Sequence, residues 1–113
     1  MATATFVHDG NSVDYTPGAA VTAGDVVVQG ELVGVAKRDI PANALGALAV
    51  VGVFDPPKTA GVGEAITIGS KVYWDVADSV AKTDDESGAN KLIGKTIQAA
   101  GDDDTTVRVR MNQ

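Results

Sequence analysis

Short runs of valine, isoleucine and threonine recur along the whole chain, and glycine and polar turn residues separate them. The 13 glycines are scattered rather than clustered. Because β-branched residues favour extended backbone, this pattern predicts an all-β fold, a compact small β-barrel or β-sandwich of short strands. The predicted strands cover residues 3–8, 13–16, 25–29, 32–37, 47–54, 65–68, 71–76, 79–83, 91–99 and 105–111.

Two of these segments indicate how the strands are buried. Val107, Val109 and Met111 alternate with Arg108 and Arg110, which predicts a half-buried antiparallel strand with one charged face. Residues 47–54 are apolar on both faces, as expected of a central strand covered on each side by a second layer or by a neighbouring subunit. The glycine in this run indicates a β-bulge or a close backbone approach.

A weak internal repeat also runs through the chain. Residues 20–27 resemble residues 65–72, and a Leu-x-Gly segment follows each of them. One interpretation is a single strand-turn-strand unit used twice around one core. The other is that Gly-Asp and Gly-Ser turns before valines are simply common, and the sequence alone does not choose between the two.

Length and charge narrow the class of protein. The 113 residues fit one domain, which we predict over residues 9–113, with residues 1–8 as an extended N-terminal arm or first strand. No apolar run is long enough for a membrane span. The net charge of −6 disfavours a nucleic-acid partner, because a phosphate backbone would repel the chain.

Candidate chemical motifs are few. The acidic runs 84–86 and 102–104 are interpreted as solvated loops, because three adjacent aspartates do not converge easily on one cation. His8 lies beside Asp9, but no nucleophile is placed to complete a catalytic arrangement. Residues 94–96 match only the end of a phosphate-binding loop, since its first glycine is missing. We therefore assign no catalytic, cofactor-binding or metal-binding residue, and expect a binding or structural role rather than an enzyme.

Two pairs of residues are candidates for contact with a partner. Tyr73 and Trp74 are adjacent on a predicted strand, so one should lie in the core and the other should be at least partly exposed. An exposed aromatic residue is typical of a sugar platform or a subunit contact, and it is equally consistent with an aromatic that covers one end of the core. Arg108 and Arg110 share a strand face and either pair with carboxylates across a subunit boundary or form an ordinary solvent face.

Six segments in order carry a resemblance to a known family. They are Asp25-Val26-Val27-Val28, Leu32-Val33-Gly34-Val35-Ala36, Gly52-Val53-Phe54-Asp55-Pro56-Pro57-Lys58, Val72-Tyr73-Trp74-Asp75, Leu92-Ile93-Gly94 and Val107-Arg108-Val109-Arg110. With them, nearly the whole chain resembles the small capsid cement, or decoration, proteins of tailed bacteriophages.

The resemblance implies a non-enzymatic virion protein without cofactors that binds the outer surface of the assembled capsid. The implied partner is the major capsid protein, and the implied oligomer is a homotrimer. The N-terminal segment is the candidate arm for adding a strand to a neighbour's sheet, although it is also consistent with an ordinary first strand of its own sheet. The candidate interface residues are Thr3, Thr5, Phe6, Val7, Trp74, Arg108 and Arg110. The alternatives are a carbohydrate-binding β module, which an exposed Tyr73 or Trp74 would favour, and a small hydrolase with an unrecognised carboxylate pair.

Overall fold

Two antiparallel β-sheets make up the protein in the computed structural model, which describes residues 4–5 and 10–112. The first sheet has the strand order β1-β4-β3-β2. The second sheet has the order β5-β9-β8-β6-β7. The strands are β1 (Ser12–Tyr15), β2 (Val26–Gln29), β3 (Leu32–Ala36), β4 (Gly46–Ala49), β5 (Gly52–Phe54), β6 (Lys71–Asp75), β7 (Val80–Lys82), β8 (Lys91–Thr96) and β9 (Val109–Met111).

The main hydrophobic core joins the two sheets. Val33 and Val35 of β3 belong to the same buried cluster as Val72 and Trp74 of β6 and Met111 of β9. A smaller cluster lies on the other face of the first sheet, where Ala36, Ile40 and Leu48 are buried together. The first sheet therefore contributes apolar residues from both of its faces, one to each cluster. The all-β prediction is confirmed.

Five of the ten predicted strands occur within one residue of their expected ends, namely 13–16, 25–29, 32–37, 71–76 and 79–83. The strand predicted over residues 91–99 ends three residues early, at Thr96. Residues 65–68 contribute only an isolated bridge between Ile66 and Ala100. The last strand is limited to β9, and the chain before it is irregular except for a bridge at Thr106. The predicted strand over residues 3–8 lies largely outside the described residues. A short 3₁₀ turn over Glu86–Gly88 connects β7 to β8.

Residues 47–54 do not form the single strand that the sequence predicts. The chain leaves the first sheet after β4 and enters the second at β5, and Gly52, the first residue of β5, has a φ of 146°. That angle lies in the region that favours glycine, which explains why the change of sheet occurs there. Leu48 and Ala49, adjacent residues of β4 that point to opposite faces, are both buried, whereas Val53 of β5 is exposed. Among the described residues, therefore, only the β4 half of the segment is covered on both faces.

The two sheets are built on the same plan. In each sheet, the strand that comes first along the chain pairs with the strand that comes last. The last strand also pairs with the strand just before it in the chain, and this strand in turn pairs with the second strand of the sheet. The first sheet therefore runs β1-β4-β3-β2 and the second β5-β9-β8-β6, with β7 added at the outer edge. This shared order is what an internal repeat would produce.

Backbone hydrogen bonds at the repeated segments agree in detail. Gly24 donates its N–H to the carbonyl of Ala36 at 2.6 Å, and Gly69 donates to the carbonyl of Thr96 at 2.9 Å. The two-way bridge between Val21 and Ile40 corresponds to the bridge between Ile66 and Ala100. The similarity of residues 20–27 and 65–72 thus extends to equal backbone pairing, which favours the repeat over chance similarity.

Candidate interaction surface

Three cations form a row across the outer face of the second sheet. Lys71 of β6 lies directly opposite Lys95 of β8, and Lys95 lies opposite Arg110 of β9. Val53 of the edge strand β5 continues the row beyond Arg110. Val72 and Met111, the strand neighbours of Lys71 and Arg110, point into the core, so alternation places these two cations on the opposite face. Lys95 faces the same way because it lies directly opposite both, and all three cations are exposed. We call Lys71, Lys95 and Arg110 the basic row.

The basic row has no acidic partner within the described part of the chain. The ion pairs among residues 10–112 involve Lys82, Lys91 and Arg108 as cations, and none of the three in the row. Side chains directly opposite each other on antiparallel strands have Cβ atoms about 4.5–5.5 Å apart, and like charges at that distance are destabilising. The row is therefore a concentration of positive charge that the sheet itself does not neutralise.

Arg108 lies on the same strand face but is engaged within the chain. Its Nε donates to Asp55 Oδ1 and a terminal nitrogen donates to Asp55 Oδ2, each at 3.0 Å. This bidentate hydrogen bond from Arg108 lowers the pKa of Asp55, and the Asp55 carboxylate raises the pKa of Arg108. The prediction that Arg108 and Arg110 project from one face is confirmed by the burial pattern, while the role of either residue in an interface stays a prediction.

A buried carboxylate fixes the turn between β6 and β7. Lys82 Nζ lies 2.7 Å from Asp75 Oδ2 and 3.0 Å from Asp78 Oδ2, and the N–H of Asp78 donates to Asp75 Oδ1. The hydrogen bond from Lys82 is the main cause that lowers the pKa of Asp75 to about 2. Sequence analysis missed this group, because nothing in the local spacing distinguishes Asp75 from the exposed acids around it.

Another charged residue, Lys58, is buried although no sequence pattern indicates it. Lys58 is 5% exposed, and its Nζ donates to the carbonyls of Thr59 at 2.8 Å and Asp104 at 3.1 Å. It thereby ties the acidic loop that precedes the last strands to the chain that follows β5. The lysine acts as a structural clamp on this loop.

The acidic loop binds backbone N–H groups through two of its carboxylates. Asp104 accepts a hydrogen bond from the N–H of Gly101 within the loop, and Asp102 accepts one from the N–H of Ala65, 37 residues earlier in the chain. Within residues 4–5 and 10–112, no group of three or more histidine, aspartate or glutamate side chains is arranged to hold a metal ion. These two carboxylates therefore hold backbone in place, one within the loop and one between the loop and a distant segment.

The aromatic pair is divided between core and surface. Trp74 is 6% exposed and belongs to the main core, because its side chain points inward with Val72, whereas Tyr73 is half-buried on the outer face. A side chain packed between the sheets offers almost no surface to a partner, so the burial of Trp74 gives no support to its expected role in an interface or as a sugar platform. Both roles stay predictions.

The N-terminal candidates fall mostly outside the description. Thr5 is described and exposed. Thr3, Phe6 and Val7 lie outside the described residues, as do His8 and Asp9. Their proposed role in contacts is therefore carried forward as a prediction.

A groove with a volume of about 610 Å³ lies beside the first sheet. It is lined by Ser12, Asp14, Arg38, Asp39 and Leu45, among others. Asp39 accepts a hydrogen bond from the N–H of Ala23, so its carboxylate is engaged with the backbone of a neighbouring loop.

No helix within the described residues is both long and apolar enough to cross a bilayer.

Two packed antiparallel sheets, the second with a row of cations on its outer face, define a protein of the all-β class. The chain belongs to the phage cement protein family, whose model matches residues 7–111. The resemblance seen in the sequence is thereby confirmed. No curated protein and no solved structure matches the chain. Membership of this family identifies a structural component of the bacteriophage capsid and implies a non-enzymatic protein.

Proposed function

We propose that this protein binds the outer surface of the assembled capsid and stabilises it by bridging subunits of the major capsid protein. The family match over residues 7–111 is the observation that carries the proposal. A ligand that binds the assembled shell, and not the free subunit, stabilises the shell by mass action, by about 2.7 kcal/mol per site at a concentration 100 times Kd. Bridging gives the required preference, because a bridge has both of its contacts only on the lattice.

The bridging protein is proposed to act as a homotrimer with the N-terminal segment as one contact. Once one subunit of a trimer has docked, the other two bind at a high effective concentration, so weak individual contacts give tight attachment. Residues 1–8 contain Thr3, Thr5, Phe6 and Val7, which are suited to adding a strand to the edge of a neighbouring sheet. The exposure of Thr5 supports this part of the proposal.

Binding to undecorated heads tests the function. Purified protein is mixed with heads of the cognate phage that lack it, and bound protein is measured after sedimentation. We expect saturation at a fixed ratio to shell subunits, together with a higher temperature of head disruption. Isolated major capsid protein is the control and should bind much more weakly. Heads that bind no protein would reject the proposal.

Two variants test the arm separately. Deletion of residues 2–7 should weaken head binding while the β fold, measured by circular dichroism, is retained. A second variant replaces the same six residues by glycine and serine, so it keeps the length and removes the side chains. Equal affinity of both variants and the wild-type protein would contradict the role of the arm, while leaving the cement function intact.

A further inference from the structure

The basic row does not contribute to the stability of its own sheet. Its three cations are exposed, are direct cross-strand neighbours, and take part in none of the ion pairs among residues 10–112. Like charges in this arrangement oppose each other. A different function is therefore needed to explain why the row is positive.

The repeat shows what the fold itself requires at these positions. Matching the hydrogen bonds of the two sheets places Val26, Val35 and Ala49 of the first sheet at the positions of Lys71, Lys95 and Arg110. We call these three residues the covered row. Val35 and Ala49 are buried, and Val26 packs against the main core. The same row is thus apolar where another layer of protein covers it.

No element of the described chain covers the basic row in the same way. Its three members are exposed, and the adjoining Val53 and Ile97 are 54% and 41% exposed. Exposed apolar side chains beside charged ones are the composition found at the edge of protein interfaces, where the charges set orientation. In the first sheet, the corresponding row is covered by the second sheet. The basic row of the second sheet is therefore the place where a partner protein can provide the equivalent cover.

The contrast between the acidic chain and its basic row indicates the charge of the partner surface. With 15 acidic and 9 basic residues, most of the molecule repels an acidic surface. We propose that the outer face of the second sheet docks through Lys71, Lys95 and Arg110 onto a carboxylate-rich patch of the capsid shell. Arg110 can bind a carboxylate through two hydrogen bonds, and the two lysines supply charge. This inference rests on the proposed capsid-binding function and adds the face and the chemistry of contact.

The test compares two double variants that remove the same charge. Lys71→Gln with Lys95→Gln neutralises two members of the row. The control, Lys37→Gln with Arg38→Gln, neutralises two exposed cations in the turn after β3 that take part in none of the ion pairs among residues 10–112. Each protein is titrated onto undecorated heads at about 50 mM and about 500 mM NaCl, which shortens the Debye length about threefold. Thermal melts and light scattering measure fold and oligomeric state.

The row variant is expected to bind about tenfold or more weakly than the wild-type protein at low salt, and to lose much of the salt dependence. The control should stay within about twofold of the wild-type protein. Lys95→Glu should bind more weakly than Lys95→Gln, because the new charge is repelled by the carboxylates of the patch.

The possible failures are distinguishable. Wild-type protein that does not bind heads rejects the capsid-binding function and this inference with it. Wild-type protein that binds, with row and control variants of equal affinity, rejects the inference alone. A row variant whose oligomeric state changes in solution also overturns it, because the row would then be a contact between copies of this chain.

Discussion

The two sheets share one strand order but are completed in different ways. The first sheet has an apolar cluster on each face, and its covered row packs towards the second sheet. The second sheet adds β7 at its edge and leaves a face with exposed cations. One backbone plan therefore supports either a buried or an exposed face, and the side chains alone decide which. The following predictions test this difference, beginning with the largest expected effect.

The most direct test exchanges side chains between equivalent positions. Val35→Lys places a cation beneath the second sheet without a partner, which should cost on the order of 3–5 kcal/mol of unfolding free energy. Lys95→Val removes a charge from an exposed face and should change stability by less than about 0.5 kcal/mol. Urea unfolding of both variants measures the difference. Similar losses in the two variants would contradict the assignment of covered and exposed rows.

The equivalent glycines of β3 and β8 should differ in the same experiment. A methyl group on Gly94 would run into the backbone carbonyl of Arg110, whereas one on Gly34 would meet the Leu48 side chain at 2.8 Å. The atom met at Gly34 is Leu48 Cβ, which is fixed to the backbone, so both substitutions require a strand to shift. Because the overlap at Gly94 is the deeper one, Gly94→Ala should cost about 2–3 kcal/mol and Gly34→Ala less. If Gly34→Ala is the more destabilising change, then β3 is packed more tightly against its neighbours in the first sheet than β8 is in the second.

Low pH should destabilise the second sheet through the turn between β6 and β7, which has no counterpart in the first sheet. The pKa of Asp75 is lowered to about 2 by Lys82, below the value of about 4 for an unfolded aspartate. A lowered folded-state pKa means that the stabilisation is complete above about pH 4 and is lost as the pH falls from about 4 to about 2. Urea midpoints between pH 6 and pH 2 should therefore show a steeper acid loss in the wild-type protein than in Asp75→Asn.

Asp103→Asn is the matched control for this pH series, since it removes the same formal charge from an exposed loop. It should keep the wild-type dependence between pH 4 and pH 2. An Asp75→Asn profile that is parallel to that of the wild-type protein would show that the Asp75–Lys82 pair does not set acid stability.

Sequence reasoning recovered the features that depend on local patterns. Alternation predicted the inward Val109 and Met111 and the outward Arg108 and Arg110, because side chains of a strand alternate between its faces. The class of fold followed from the spacing of valine-rich runs and glycines, and the same spacing raised the repeat as one of two interpretations, between which the backbone pairing then decided. These signals lie within a few residues of each other, so a single sequence contains them.

Features that depend on pairing between distant segments were not predictable in the same way. The basic row joins residues from three strands, and only the register of those strands shows that Lys71, Lys95 and Arg110 are neighbours. The burial of Lys58 likewise involves a distant loop, since Lys58 donates to the carbonyl of Asp104. The error over residues 47–54 has a related cause, because an apolar run does not reveal that its two halves belong to different sheets.

The smallest expected effect concerns a carboxylate that both sheets have in equivalent places. Asp14 of β1 lies opposite Ala47, whereas Asp55, which follows β5, pairs with Arg108. Both members of the Asp55–Arg108 pair are nearly half exposed, so solvent screens them, and a double-mutant cycle should give a coupling of about 0.2–1 kcal/mol despite the two-pronged geometry. Asp55→Asn should lose this coupling and Asp14→Asn should be nearly neutral at low salt. High salt should reduce the difference. A coupling well above about 1 kcal/mol would show that the pair is shielded from water in solution, and so that a second molecule covers this face of the second sheet even before a capsid is present.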